Sequence, residues 1–174
     1  MKKIVIALLG IILSTLTFKT VAQTPPGDKS EKCEAEALLG GSCKVTCPEG
    51  SKANCHAGIL KAKCNCIKAE AYSVPATINI TAITKEDIEG LSLELTEKQQ
   101  KNFDELHSFI KEFNEKVAEE IRNRYSEIAK HSDSEAYLQN ANSIINTLLE
   151  MNEEEKSKLV DFFKSTYSIQ VSFK

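Results

Sequence analysis

The feature that most constrains this chain is its cysteine clustering: five of its six cysteines lie within the 24 residues from Cys43 to Cys66. The stretch from Cys33 to Cys66 contains no aromatic residue and is rich in Gly and Lys. A segment of this composition buries little apolar surface, so it needs covalent cross-links to hold a fold. Whether the cysteines form disulfides or bind a metal then depends on the compartment.

The N-terminus has the layout of a secretory signal peptide over residues 1–22. Two lysines precede an apolar run over residues 4–13, and Ala22 supplies a small residue at the predicted cleavage site. The apolar run is half of the ~20 residues that a membrane-spanning helix requires, so no stable membrane anchor is predicted. We therefore expect an exported protein, periplasmic or extracellular, with a flexible polar leader over residues 23–31.

In an oxidising compartment, six cysteines in a short segment predict a disulfide-stapled module, assigned here to residues 32–68. Alternation of apolar and polar residues predicts two strands, 43–47 and 60–66, joined into one hairpin by a long loop. A helical turn is predicted over 34–39, ended by the Gly-Gly pair that follows. The Leu-Leu-Gly-Gly sequence also resembles the double-glycine leaders of secreted bacterial peptides, which leaves cleavage after Gly41 as an open alternative.

All six cysteines are predicted to form disulfides: Cys33, Cys43, Cys47, Cys55, Cys64 and Cys66. Cysteines on neighbouring strands can be bridged. The favoured bonds therefore join the two predicted strands, with Cys33 and Cys55 tying in the flanks, although the sequence does not fix the connectivity.

A zinc site made by four of these thiolates with His56 is the alternative. The spacers within its two Cys pairs differ from the usual two residues, and exported thiols seldom stay reduced. No C-x-x-C redox pair is present. We therefore predict no metal and no cofactor.

Residues 48–58 are predicted to form the exposed loop of the hairpin, because Pro48, Gly50 and Gly58 punctuate it. This segment is the candidate binding loop of the module, and His56 is interpreted as a solvated residue within it. Its candidate contact residues are Pro48, Lys52, Asn54 and His56.

Residues 76–174 predict a mainly helical second domain. Alternation over 76–82 and 168–173 predicts two strands, which pair because neither is stable alone. A capping box at Thr96 and Gln99 begins an apolar stripe up to about residue 130, which predicts one helix roughly 52 Å long. Further capping boxes, Ser132 with Glu135 and Asn152 with Glu155, predict two more helices. The predicted fold class is α+β: a disulfide-rich β-hairpin module, then a long helical hairpin, a third helix and a two-stranded sheet.

Charge excludes two classes of partner. Without residues 1–22 the chain has 19 basic and 25 acidic residues, a net charge of −6. An acidic protein gains nothing from the phosphates of nucleic acids or from anionic lipids, so the expected partner is an unidentified protein or peptide.

No catalytic motif is present in the sequence. Asp104 and His107 are i, i+3 neighbours that could share a metal, but two ligands do not make a site. His131 lies at a predicted helix end, where a cation interacts favourably with the helix dipole. We therefore predict no catalytic residue and no enzyme.

The segment Leu95-Thr96-Glu97-Lys98-Gln99 resembles the LTxxQ motif of the small helical periplasmic chaperone and metal-stress proteins. That family carries the motif twice, each copy opening a helix around a long hairpin. The second place here is residues 151–155, with Asn and Glu instead of Thr and Gln. Over residues 95–163 the resemblance implies an apolar concave face that holds unfolded clients, or a metal-sensing role.

We expect an exported, non-enzymatic binding or interaction protein whose stapled module presents the candidate binding loop. Two alternatives stay open. One is a periplasmic holdase-like chaperone or metal-stress protein. The other is a secreted inhibitor or peptide toxin, in which the disulfide-held loop with an exposed Lys52 enters its target.

Overall fold

The computed structural model describes residues 30–68, 77–130 and 133–174. In these residues four short strands, cross-linked by three disulfides, precede a mainly helical region, which confirms the predicted α+β class. The predicted signal peptide and most of the predicted leader fall in residues 1–29, outside the described residues.

The cysteine module contains two β-hairpins, where the sequence predicted one. β1 (Glu31–Glu36) pairs antiparallel with β2 (Ser42–Cys47), and β3 (Ser51–Ala57) pairs antiparallel with β4 (Ala62–Lys68). The helical turn predicted over 34–39 is wrong, because the backbone of its first half forms the β1–β2 ladder.

Three disulfides join one hairpin to the other. Cys33–Cys55 links β1 to β3, whereas Cys43–Cys64 and Cys47–Cys66 link β2 to β4. The predicted bonding of all six cysteines is confirmed, but the bonds connect two separate sheets. Each bond spans 19 to 22 residues of sequence, a loop size whose closure stabilises the fold by about 3 kcal/mol in the chain-entropy model.

Both hairpins end in an apolar pair of residues at their tips, defined here as residues 37–41 and 58–61. The pairs are Leu38-Leu39 in the first tip and Ile59-Leu60 in the second, and all four side chains are buried. The tips bond to each other through the backbone, since Leu38 N–H donates to the Gly58 carbonyl at 3.0 Å and Leu39 N–H to the Ile59 carbonyl at 2.8 Å. The two tips therefore form one apolar wedge.

The part of the chain from residue 77 contains the described helices and a short sheet. β5 (Ile78–Ile80) and β6 (Val171–Phe173) pair in parallel, which confirms the predicted two-stranded sheet. The helices are α1 (Lys85–Ile88), α2 (Glu97–Lys111), α3 (Glu115–Lys130), α4 (Ser134–Leu149) and α5 (Glu153–Tyr167).

The predicted single helix over 96–130 is wrong, because the chain turns between α2 and α3. The Asn114 side chain accepts a hydrogen bond from Val117 N–H at 3.1 Å, so this residue caps a new helix. The apolar stripe read from the sequence is thus divided between two helices that face each other. Phe103 of α2 stacks on Tyr125 of α3, with ring centroids 3.7 Å apart.

Local side-chain signals set the other helix ends. Capping boxes at Thr96/Gln99 and Asn152/Glu155 are present as predicted. The N-cap of α4 is Asp133, while the predicted cap Ser132 lies outside the described residues.

The apolar wedge and the helices share a single hydrophobic core. Leu39 and Leu60 are fully buried together with Phe103, Tyr137 and Phe163. Tyr137 of α4 reaches the wedge directly: its hydroxyl accepts from Gly41 N–H at 3.0 Å and donates to the Leu60 carbonyl at 2.5 Å. The cysteine module is therefore anchored in the helical body by its tips.

Tyr137→Phe should lower the free energy of unfolding by about 2 kcal/mol or more, because two buried backbone groups lose their partner. The matched control is Tyr125→Phe. The Tyr125 hydroxyl is also buried but has no hydrogen-bond partner among the described residues, so its removal should leave stability unchanged or raise it. Urea denaturation of both variants checks this. Equal losses in the two variants would contradict the anchoring role of Tyr137.

Candidate functional site

The predicted binding loop is mostly strand. Residues 51–57 form β3, so Lys52, Asn54 and His56 lie in a hydrogen-bonded ladder opposite β4 and are only partly exposed. Of the four candidate residues, only Pro48 lies in an exposed turn. That turn is closed by Ser51 N–H, which donates to the Pro48 carbonyl at 3.1 Å.

Within β3, His56 is less solvated than a loop residue would be. Partial burial, and then the neighbouring Lys63 cation, lower the pKa of His56 below its usual value.

The six cysteine sulfurs are paired in the three disulfides, so the thiolates that the zinc alternative requires are not present. The module is a cross-linked scaffold with a short exposed turn.

Asp104 is exposed, whereas the His107 side chain is buried and its ring nitrogens face Arg122 and Glu119 of α3 rather than Asp104. The His107 ring is buried against α3, where the Arg122 Nε lies 3.1 Å from its Nε2 and a Glu119 carboxylate oxygen lies 3.7 Å from the same atom. Burial, followed by the Arg122 cation, lowers the pKa of His107. His107 is therefore a packed, neutral contact between two helices. His131, which was predicted to lie at a helix end, falls outside the described residues.

The helix α2 binds the first hairpin tip, residues 37–41, through three amide hydrogen bonds, which we name the tip clamp. Gln99 Nε2 donates to the Ala37 carbonyl at 3.0 Å and also to that of Gly40. Asn102 Nδ2 donates to the Leu38 carbonyl at 3.0 Å. Backbone carbonyls at a buried tip require such donors, because an unpaired buried polar group is costly.

Gln99 therefore has two roles. Its Oε1 accepts from Thr96 N–H at 2.8 Å in the capping box, while its Nε2 binds the first hairpin tip. The sequence pattern T-x-x-Q predicts the capping role, whereas the hydrogen bonds to the hairpin tip are evident only from the tertiary structure.

Together, α2 and α5 form an open groove with a volume of about 500 Å³. We name it the aromatic groove. It is lined by Lys101, Asp104, Glu105, Ser108, Phe109, Glu112, Phe162 and Thr166.

Aromatic rings make the floor of this groove. Phe109 and Phe162 stack with centroids 4.4 Å apart, and both remain partly exposed. Phe113 packs edge-on against Phe109 at 5.4 Å, and Tyr167 packs edge-on against Phe162 at 5.7 Å. These contacts fix the rings in place while leaving apolar surface available to a ligand.

The rim of the aromatic groove is acidic. The Glu105 carboxylate accepts a hydrogen bond from the Tyr167 hydroxyl at 2.9 Å and lies 3.9 Å from Lys101 Nζ. Burial, together with this carboxylate, raises the pKa of Tyr167, so its hydroxyl remains a donor. Asp104 and Glu112 are exposed on the same rim.

This groove was not predicted from the sequence, because it forms between helices that are at least 42 residues apart in the chain. Phe109 lies one position before Ile110, beside the apolar stripe rather than on it. An aromatic residue placed directly beside an apolar stripe is the sequence signal that could have indicated the groove.

Comparisons with family models, curated proteins and solved structures found no match to this chain. The resemblance to the LTxxQ family therefore stays a prediction. Among the described residues, no helix combines the length and apolarity needed to cross a membrane.

Gln99→Glu should separate the two roles of this residue. Glutamate serves a capping box as well as glutamine does, but it cannot donate to the tip carbonyls and would place a negative charge beside them. We expect a loss of about 2 kcal/mol or more in the free energy of unfolding.

The control for this substitution is Gln100→Glu, an exposed neighbour that makes the same charge change in the same helical turn. It should change stability by less than about 0.5 kcal/mol. Equal stability of the two variants in denaturant unfolding would mean that Gln99 acts only as a cap.

Proposed function

We propose that this protein is an exported, non-enzymatic binding protein that holds a segment of a partner protein or peptide in the aromatic groove. The three disulfides support export, since such bonds persist in oxidising compartments. The groove supports binding, since partly exposed aromatic rings between polar walls are typical of protein interaction sites.

The observation that carries the proposal is the stacked Phe109–Phe162 pair. Aromatic rings usually contribute more to stability in a core, and Phe163, the next residue along α5, is fully buried there. Phe109 and Phe162 instead pack against each other across two helices and keep an exposed face. Covering that face with a ligand would remove apolar surface from water without reorganising the rings.

The tip clamp supports a preformed site. Gln99 and Asn102 of α2 bond to the cross-linked module, and Phe109 and Glu112 of the same helix line the aromatic groove. A helix that is held in place by buried hydrogen bonds loses little conformational entropy when a ligand binds, which favours affinity.

The two alternative functions differ in the part of the structure that they would use. A holdase-like chaperone would use the same groove, and would differ by suppressing the aggregation of an unfolded substrate. The inhibitor or toxin alternative required an exposed loop around Lys52, whereas residues 51–57 form a paired strand.

The test is fluorescence anisotropy with an uncharged, amphipathic 14-residue peptide built from Leu, Phe, Gln and Ser. We expect saturable binding to the disulfide-intact protein. Phe109→Ala and Phe162→Ala should each weaken it about tenfold or more, because each removes roughly 1.5 kcal/mol or more of apolar contact.

Phe173→Ala is the control, since Phe173 is a partly exposed aromatic residue outside the aromatic groove. It should leave the peptide affinity unchanged, and circular dichroism should show that all three variants are folded. No saturable binding, or equal losses in all three variants, would overturn the proposal.

A further inference from the structure

We propose that the occupant of the aromatic groove is a short cationic amphipathic helix, with apolar residues on one face and lysine or arginine residues flanking it. This inference rests on the proposed binding function and adds the chemical class of the partner.

The charge of the groove's rim favours a cationic ligand. Three carboxylates and one ammonium group line the groove, which makes it net negative around an apolar floor. The Lys101 cation lies beside Glu105, so Asp104 and Glu112 are left without an ion-pair partner in the described part of the chain. A cationic ligand supplies the missing partners.

The spacing of the carboxylates along α2 matches a helical ligand. Asp104 and Glu112 are eight residues apart along α2, a rise of about 12 Å. Phe109 lies between them, so the apolar floor is flanked by carboxylates at both ends. In a helical ligand, two cations seven or eight residues apart match this distance, while the apolar face between them covers the rings.

The negative charge of the surrounding surface disfavours other occupants of the groove. Residues 85–164 contain 19 acidic and 11 basic residues. A second copy of this helical body would bring like charge to the groove, and an anionic lipid surface or an acidic peptide would also be repelled. Electrostatic complementarity therefore selects a basic partner and accelerates its association.

The experiment compares three labelled 14-residue peptides that share one apolar face and carry four Lys, four Gln or four Glu on the polar face. At about 50 mM NaCl, the Lys peptide should bind the disulfide-intact protein about tenfold or more tightly than the Glu peptide. Salt at about 500 mM should largely remove the difference, because exposed charges are then screened.

Asp104→Asn/Glu112→Gln should weaken binding of the Lys peptide about tenfold and leave the Gln peptide unaffected. The matched control is Glu120→Gln/Glu135→Gln, which makes the same charge change at exposed positions of α3 and α4 outside the groove. It should leave the affinity for the Lys peptide within about twofold.

The outcomes separate the two proposals. Binding of all three peptides with equal affinity, sensitive to Phe162→Ala, would overturn the cationic partner and leave the binding function standing. Equal weakening by both double variants would also overturn it, since net charge alone would then explain the preference. Absence of binding by every peptide would overturn both proposals.

Discussion

Insertion of the two hairpin tips into the helical body is the interaction on which the rest of this structure depends. The module has no aromatic residue of its own, yet Leu39 and Leu60 are completely buried because helical residues surround them. Their backbone polar groups enter the core with them, and Gln99, Asn102 and Tyr137 supply the hydrogen bonds that this burial requires. The disulfides act on the same unit, because they hold two short hairpins together so that their tips form one wedge.

The helix α2 contributes both to the docking of the module and to the aromatic groove. Gln99 and Asn102, in its N-terminal half, bind the module, while Phe109 and Glu112, at its C-terminal end, line the groove. A disturbance of the wedge would therefore reach the groove through one helix. Gly40 and Gly41 of the first tip are themselves buried in the folded chain.

Features set by neighbouring residues could be predicted from the sequence. The capping boxes at Thr96 and Asn152 follow from local side-chain geometry, and the disulfides follow from cysteine number in an oxidising compartment. The turn at Asn114 was missed, because the spacing of apolar residues continues unbroken across it. The Asn114 side chain caps the next helix through a local hydrogen bond, which the apolar spacing does not reveal.

Features set by distant residues could not be predicted in this way. Leu38 and Leu39 were interpreted as part of a helical turn and Leu60 as part of a strand, since the residues of α2 and α4 that bond to the tips lie more than 35 residues away in the chain. The aromatic groove was missed for the same reason, because Phe109 and Phe162 meet only once α5 packs beside α2. Both features depend on tertiary packing, which overrides local pattern.

The most direct test of this account is a nuclear Overhauser measurement between the Tyr137 ring and the amide proton of Gly41 in the oxidised protein. The structure places the Gly41 nitrogen 3.0 Å from the Tyr137 hydroxyl oxygen, so a strong cross-peak to the ring protons beside that hydroxyl is expected. Absence of this cross-peak, with separate rotational correlation times for the cysteine module and the helices, would show that the module does not dock and would contradict the account.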